Sequence, residues 1–154
     1  MREFDHSLAI AAPPERVLDA FFRDDDLAVW WHASRSLCHP RPFGSYAVEW
    51  PPTNSTDDVL GRLGGVFHGT VIEFKPGREF FIADAYWLPP DGEPIGPMAF
   101  EATCSLVSGS TVLHVRQSGW ENSVRWSRYY DVISTGLTLA LDDLKKHVER
   151  RWNE

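Results

Sequence analysis

WSRYYDVISTGLTLALDDLKKHVERR, residues 126–151, is the stretch that decides the fold. Its large apolar residues recur every three or four positions and form one stripe: Trp126, Tyr130, Ile133, Leu137, Leu141, Leu144 and Val148. This spacing predicts a long amphipathic helix. A single broad stripe needs an extended apolar partner, and the segments before it are mostly strand-like. We therefore predict a sheet wrapped around this helix.

The amino-terminal segment predicts one strand followed by two short helices. Apolar and polar residues alternate between Phe4 and Ile10, which is typical of a strand with one buried face. Pro13-Pro14-Glu15 then favours a helix start, because proline is tolerated in the first turn. A second short helix is expected to end at Trp30-Trp31. We expect this pair to anchor the helix to the sheet.

The middle of the chain predicts an antiparallel meander. Strands are expected at residues 46–50, 66–74, 80–87, 100–106 and 113–116, with apolar residues on both parities of the second and third. For those two strands the pattern does not decide which residues face inward. Residues 51–65 and 88–97 are rich in Pro and Gly, and they are expected to be loops, the first of them long and mobile.

Together these elements predict an α+β fold. An antiparallel sheet of six to seven strands curves around a long carboxy-terminal helix, and two short helices follow strand 1. Residues 1–154 are predicted to form a single domain, since a chain of this length can bury one sizeable core.

Composition excludes some partners and indicates the character of the interior. The net charge of −7 and the pI near 5.3 argue against binding to nucleic acid or to an anionic membrane, both of which attract concentrated Lys and Arg. Aromatic residues make up 13% of the chain, including seven Trp. A ring-lined interior is therefore expected.

The two cysteines are predicted to be reduced thiols in a cytoplasmic protein. No apolar signal segment precedes the polar start of the sequence, and no stretch is long enough to span a membrane. Cys38 is expected in a loop and Cys104 on a buried strand face. Neither lies near a His at metal-ligand spacing, so no metal and no cofactor are predicted.

Several short motifs carry a resemblance to a known family. The chain resembles the helix-grip superfamily, also called START-like or SRPBCC, and its branch of activator of heat-shock-protein ATPase homologues. The motifs are Ala12–Val17, Trp30-Trp31, Arg41-Pro42-Phe43-Gly44, Gly69–Glu73 running into Pro76, Gly109-Ser110-Thr111 and Gly136. Two departures are Gly136-Leu137, where relatives usually have Gly-Trp, and Phe43-Gly44, where relatives usually have paired glycines.

The resemblance implies a cavity between the sheet and the long helix. The smaller Leu137 should enlarge it, and Gly136 suggests close approach of a bulky group. Strand alternation, the helix stripe and the tryptophan pair supply the candidate ligand-binding residues, each of which could equally fill an ordinary core: Trp31, Tyr46, Trp50, Phe100, Cys104, Leu113, Val115, Tyr130, Ile133 and Leu137.

No catalytic residue is assigned. The titratable candidates are His6, His68, Asp84, Glu101 and His114, and Asp84 stands out because it interrupts the apolar run FFIADAYW, residues 80–87. An inward Asp84 would have its pKa raised by burial and could act as an acid or base. An outward Asp84 would be an ordinary surface carboxylate.

The sequence therefore favours a small cytoplasmic protein, monomer or homodimer, that binds an apolar or aromatic small molecule. One alternative is a cyclase-like or hydrolase-like enzyme that uses Asp84 with a nearby His. A second alternative is a stress-response interaction module with a heat-shock chaperone as its partner. Members of this superfamily include all three kinds, so the fold does not decide between them.

Overall fold

The computed structural model describes residues 2–119 and 121–152, with side chains up to residue 150. Its main sheet has seven antiparallel strands in the order β1-β9-β8-β7-β6-β3-β2. The strand bounds are β1 Glu3–Ile10, β2 Arg35–Cys38, β3 Ser45–Trp50, β6 Gly65–Lys75, β7 Glu79–Leu88, β8 Ile95–Val107 and β9 Ser110–Gly119, while β4 Thr56–Asp57 and β5 Gly61–Arg62 form a separate small hairpin.

Three helices complete the fold. Helices α1 (Pro14–Asp19) and α2 (Asp24–Trp30) follow β1, and α3 (Val124–Trp152) closes the chain. The predicted fold class is confirmed. The predicted single domain 1–154 includes residues 1, 120, 153 and 154, which lie outside the described residues.

The two strands with apolar residues on both parities are irregular. β6 and β7 change register between His68 and Thr70, and β7 and β8 change register between Ile82 and Ala85. A bulge shifts which parity faces inward, because side chains alternate with a period of two. Phe80 and Ile82 are therefore buried before the bulge, whereas Ala85 and Trp87 are buried after it.

Three predicted loops are partly wrong. Residues 35–38 form the short edge strand β2, so Cys38 ends a strand and does not lie in a loop. The long connection 51–65 contains the β4–β5 hairpin. The predicted loop 88–97 ends early, since β8 begins at Ile95. The strands within residues 35–38 and 51–65 are only two to four residues long and produce little hydrophobic periodicity. The start of β8 carries Gly96 and Pro97, which are typical of loops.

An aromatic plug from the first two helices and the turn between them covers part of the sheet. Phe21, Phe22 and Trp30 are buried. Phe21 contacts the sheet rings Phe80 and Phe100, Phe22 contacts Phe80, and Trp30 packs on Phe21. Trp30 is fully buried and donates its indole N–H to the carbonyl oxygen of Ala20 at 2.8 Å. These contacts leave no space between the plug and this part of the sheet.

A buried ion network holds the plug against α3. The carboxylate of Asp26 is fully buried, accepts two hydrogen bonds from Arg16 at 2.7 and 2.8 Å, and lies 2.7 Å from the ring of His147. Burial raises the pKa of the Asp26 carboxyl, but the hydrogen bonds from Arg16 and His147 outweigh burial and hold that pKa below its usual range. The network therefore fixes α2 relative to α1 and α3.

The plug predicts unequal costs for the two adjacent tryptophans. Replacing the fully buried Trp30 by Ala should lower the free energy of unfolding by about 3–5 kcal/mol, the range for a large core aromatic. Trp31 is only partly buried, so its replacement by Ala should lower the free energy of unfolding by less. Urea unfolding of the two variants measures the difference. Equal costs below about 0.5 kcal/mol would contradict the plug.

Candidate functional site

A cavity of about 310 Å³ lies between α3, the sheet and the segment that contains the β4–β5 hairpin. Among residues 2–119 and 121–150, Tyr129 is the one ionisable side chain in its wall. The lining residues are Trp31, Trp50, Thr53, Leu60, Leu63, Gly64, Phe67, Trp87, Gln117, Tyr129, Val132, Ile133, Gly136 and Leu137. The cavity occupies the part of the sheet that the aromatic plug does not cover.

Three tryptophans, together with Phe67 and Tyr129, form the aromatic part of the wall. Trp31 stacks on Trp30 with ring centroids 4.8 Å apart, and Trp50 meets Trp31 edge-on at 5.2 Å. The indole N–H groups of Trp50 and Trp87 donate to the carbonyl oxygens of Trp31 and Gly64 at 2.7 and 2.8 Å. Because these donors bond to backbone, Trp50 and Trp87 present their hydrocarbon surfaces to the cavity.

Helix α3 forms the opposite wall and reaches the mouth. Leu137 is buried, whereas Gly136 is exposed, and a Cβ atom placed on Gly136 would meet nothing within 4 Å. The bulky group expected next to Gly136 is therefore not an aromatic side chain among the described residues, and close approach by a ligand stays a prediction. Thr53 is the other exposed lining residue, so the cavity reaches the surface between Gly136 and Thr53.

Residues 51–64 cover the cavity, and two ion pairs hold this cover in place. Leu60 is buried and Leu63 half-buried against the wall. The Asp57 carboxylate accepts backbone N–H groups of Val59 and Leu60 at 3.0 Å and pairs with Arg128 of α3 at 2.6 Å. A second pair joins Arg62 to Asp91 at 2.7 Å. The cover is thus tied to α3 and to the loop after β7.

Two polar side chains lie inside the cavity wall. Gln117 and Tyr129 are 2% and 3% exposed, and the Tyr129 hydroxyl donates to the Gln117 side-chain oxygen at 2.7 Å. Burial raises the pKa of Tyr129 well above its usual value, so the phenol is neutral. Gln117 follows Leu113 and Val115 at the inward parity of β9, a position where a polar residue is unusual. That parity is the sequence signal by which Gln117 could have been found.

The ten predicted ligand-binding residues divide between the cavity and other sites. Trp31, Trp50, Ile133 and Leu137 line the cavity. The remaining six lie elsewhere in the structure: Tyr46, Phe100, Leu113 and Val115 in the fully buried core, Tyr130 beside Trp126, and Cys104 on β8 against the core. Strand alternation correctly predicted that the four core residues point inward. They pack against other side chains, including the aromatic plug, and do not line the cavity. Ligand contact by any of the ten stays a prediction.

The acid or base of the enzyme alternative does not face the cavity. Asp84 is exposed and lies at the β7 bulge with a φ of 51°, so the inward orientation is wrong. His68 is also exposed and packs against Tyr86. The outward alternative is therefore the observed one, because the bulge turns Asp84 toward solvent in an otherwise apolar run.

The other titratable candidates and the thiols are likewise placed outside the cavity wall. His114 pairs with Asp5 at 2.7 Å, Glu101 lies 3.6 Å from Arg116, and His6 packs near Phe4. Cys38 and Cys104 are free, and burial raises their pKa values to about 11 and about 12. Both thiols are therefore protonated at neutral pH and are poor nucleophiles.

Among the described residues, no group of three or more His, Cys, Asp or Glu side chains is arranged to hold a metal ion. No helix of the described chain combines the length and the apolar character needed to span a membrane.

Comparison with known families identifies the fold family. The model for "Activator of Hsp90 ATPase homolog 1-like protein" matches residues 11–149. The chain belongs to this family. The resemblance predicted from the short motifs is confirmed. No curated protein matches the chain.

Solved structures share the fold at low sequence identity. A Mesorhizobium loti protein is 18% identical with a TM-score of 0.72, covering 97% of this chain and 98% of its own. A Chromobacterium violaceum protein is 23% identical with a TM-score of 0.69, covering 97% and 99%. The Aha1 dimer from Colwellia psychrerythraea is 17% identical with a TM-score of 0.66, covering 97% of both chains.

The ion pair between Asp57 and Arg128 is expected to slow the local opening of residues 51–64. The hydrogen bond from Arg128 lowers the pKa of Asp57 from 3.8 to about 2, so the pair is complete above about pH 4 and is lost as the pH falls through 2. At neutral pH, Arg128→Gln should speed hydrogen exchange of the Leu60 amide about two- to fivefold, as expected for a partly screened pair.

Arg35→Gln provides the matched control for this prediction. It breaks an exposed Arg–Glu pair of similar length, 2.7 Å, which joins β2 to β3 and includes no residue of the cover. Exchange at Leu60 should not change in that variant. Equal exchange rates in the wild type and Arg128→Gln would show that the pair does not hold residues 51–64.

Proposed function

We propose that this protein binds an apolar or aromatic small molecule in the cavity between α3, the sheet and residues 51–64. The observation that carries the proposal is the wall itself, in which three tryptophans, Phe67 and aliphatic side chains surround a space of about 310 Å³. Natural ligand pockets range from about 300 to 1,000 Å³ and combine an apolar lining with few polar groups. The cavity fits that description at the small end.

The chemistry of the wall favours uncharged ligands. Within the part of the chain that the structure describes, no Lys, Arg, His, Asp or Glu lines the cavity. An ion moved from water to such a site would lose its hydration without gaining a counter-charge. Apolar surface, in contrast, gains about 25 cal/mol for each Å² removed from water. The proposal includes a cytoplasmic location, supported by two free cysteines.

Interaction with a heat-shock chaperone is a second candidate function, favoured by the family description and by Phe43. The Phe43 ring is 84% exposed, and its φ of 64° lies in the left-handed region. That conformation costs about 1–2 kcal/mol for an L-residue. A large ring held in solvent by such a backbone is suited to protein contact.

Replacing Phe43 by Gly removes the backbone cost of the positive φ and the ring that is proposed to contact the chaperone, and the two effects are measured separately. The variant should be slightly more stable, by about 0.5–1 kcal/mol, because glycine adopts this φ freely but loses more chain entropy. Titration calorimetry with an Hsp90 chaperone should show weaker binding than the wild type. Leu139→Ala, at a 60% exposed position on α3, is the surface control and should not change binding. Unchanged affinity of Phe43→Gly would remove this candidate.

Filling the cavity tests the proposed ligand binding. Leu137→Trp places a larger ring at a buried lining position that borders open space. The variant should keep or raise its melting temperature. Its affinity for the uncharged fluorescent probe N-phenyl-1-naphthylamine should fall at least about tenfold, since the new ring occupies the space that the probe needs. Fluorescence titration and thermal unfolding are measured on the same samples.

Leu141→Trp is the matched control, one helical turn further along the same stripe. Leu141 is fully buried and does not line the cavity. The same ring should overpack this site and lower stability by about 1–3 kcal/mol, with probe binding retained below the melting transition. Probe binding that survives Leu137→Trp, or is lost equally in both variants, would overturn the proposed function.

A further inference from the structure

The amide of Gln117 is the polar feature of the cavity that the apolar wall does not explain. Gln117 lies at the inward parity of β9, is 2% exposed, and borders the cavity. Leu113 and Val115 at the preceding inward positions are fully buried apolar residues. A third apolar side chain at position 117 would continue the core. The chain instead places two N–H donors and one acceptor there.

The hydrogen bonds of Gln117 are only partly satisfied by the protein. Its side-chain oxygen accepts from the Tyr129 hydroxyl at 2.7 Å. Among the residues that the structure describes, no group accepts a hydrogen bond from its side-chain nitrogen. That nitrogen is also not one of the fully enclosed polar atoms without a partner, which are those of Tyr46, Arg116 and Tyr130. Because Gln117 lines the cavity, a ligand there can accept a hydrogen bond from this amide nitrogen.

Tyr129 fixes which end of the amide faces the ligand. Its single hydroxyl proton has two acceptors in reach, the Gln117 oxygen at 2.7 Å and the Met98 sulfur at 3.5 Å. Oxygen is the stronger acceptor and is the nearer one. The Tyr129 hydroxyl therefore holds the Gln117 oxygen, and the amide nitrogen remains as donor toward the cavity.

We propose that Gln117 binds an uncharged oxygen acceptor on the ligand, such as a ketone, ester or amide carbonyl, while the tryptophan and aliphatic walls bind its hydrocarbon part. This inference rests on the proposed function and names the ligand class. A buried N–H group without an acceptor is costly, so a ligand that supplies one binds more tightly than an equally shaped hydrocarbon. The absence of lining cations disfavours carboxylates at the same place.

Two probes of the same shape test the inference. In 2-acetylnaphthalene a carbonyl oxygen replaces the methylene group of 2-isopropenylnaphthalene, and the rest of the molecule is unchanged. The ratio of their dissociation constants is measured in the wild type and in Gln117→Met, which keeps the length of the side chain. The change in ratio between the two proteins cancels the different hydration of the free probes.

The expected result is a ratio that shifts by about three- to tenfold against the ketone in Gln117→Met, the size of one hydrogen bond. Ser118→Ala, the next position on β9 at the opposite parity, is the control and should keep the wild-type ratio. If the wild type binds the probes and Gln117→Met shows the same ratio of dissociation constants, the inference is overturned but the proposed function is not. Binding of neither probe by the wild type overturns both this inference and the proposed function.

A direct measurement on the unaltered protein guards against a variant that does not fold. The side-chain ¹H–¹⁵N signals of Gln117 should move downfield on addition of 2-acetylnaphthalene and should not do so with 2-isopropenylnaphthalene. Equal movement with both probes would show that the amide senses occupancy without bonding to the oxygen, and would overturn the inference.

Discussion

The packing of α3 on the sheet is the contact on which the rest of the structure depends. Toward its carboxy terminus, Leu141, Leu144 and Val148 are fully buried, and His147 bonds to Asp26 of the second helix. Nearer its amino terminus, Val132 and Ile133 are only partly buried and border the cavity. One rigid helix thus makes close contact along part of its length and leaves open space along the rest. The cavity is a consequence of that unequal contact.

The first two helices decide which part of the sheet is filled. Phe21 and Phe22, in the turn between these helices, pack on Phe80, and Trp30 of α2 packs on Phe21. Trp31, the next residue after Trp30, turns to the cavity wall and stacks on the plug. The tryptophan pair therefore marks the boundary between packed core and cavity, and Phe100 also contacts both the plug residue Phe21 and the wall residue Phe67.

Much of the fold follows from local sequence patterns, whereas the site follows from contacts between distant elements. The spacing of the Trp126–Val148 stripe was sufficient for α3, and alternation was sufficient for β1, β3, β8 and β9. Alternation also placed Tyr46 and Phe100 inward correctly, yet it does not say what occupies the space in front of them. That depends on rings from α1 and α2, far away in sequence.

Other features were hidden for identifiable reasons. The bulge beside Asp84 changes parity within one strand, so an apolar run on both sides of the residue does not determine its direction. The cover residues Leu60 and Leu63 lie in a Pro-rich and Gly-rich connection with only a two-residue hairpin, where neither period applies. Gln117 was not predicted, because its inward parity on β9 is its one sequence signal and that parity gains meaning only when the amide is seen beside the cavity.

Intermolecular nuclear Overhauser effects between bound naphthalene and ¹³C-labelled methyl groups test the central claim most directly. A ligand bound in the cavity should contact methyl groups of Ile133, Leu137 and Leu60, which line it, and none of Leu113 or Val115, which lie in the buried core. Contacts confined to exposed methyl groups such as those of Leu106 or Leu139 would contradict the central claim, because they would place the apolar ligand on the surface.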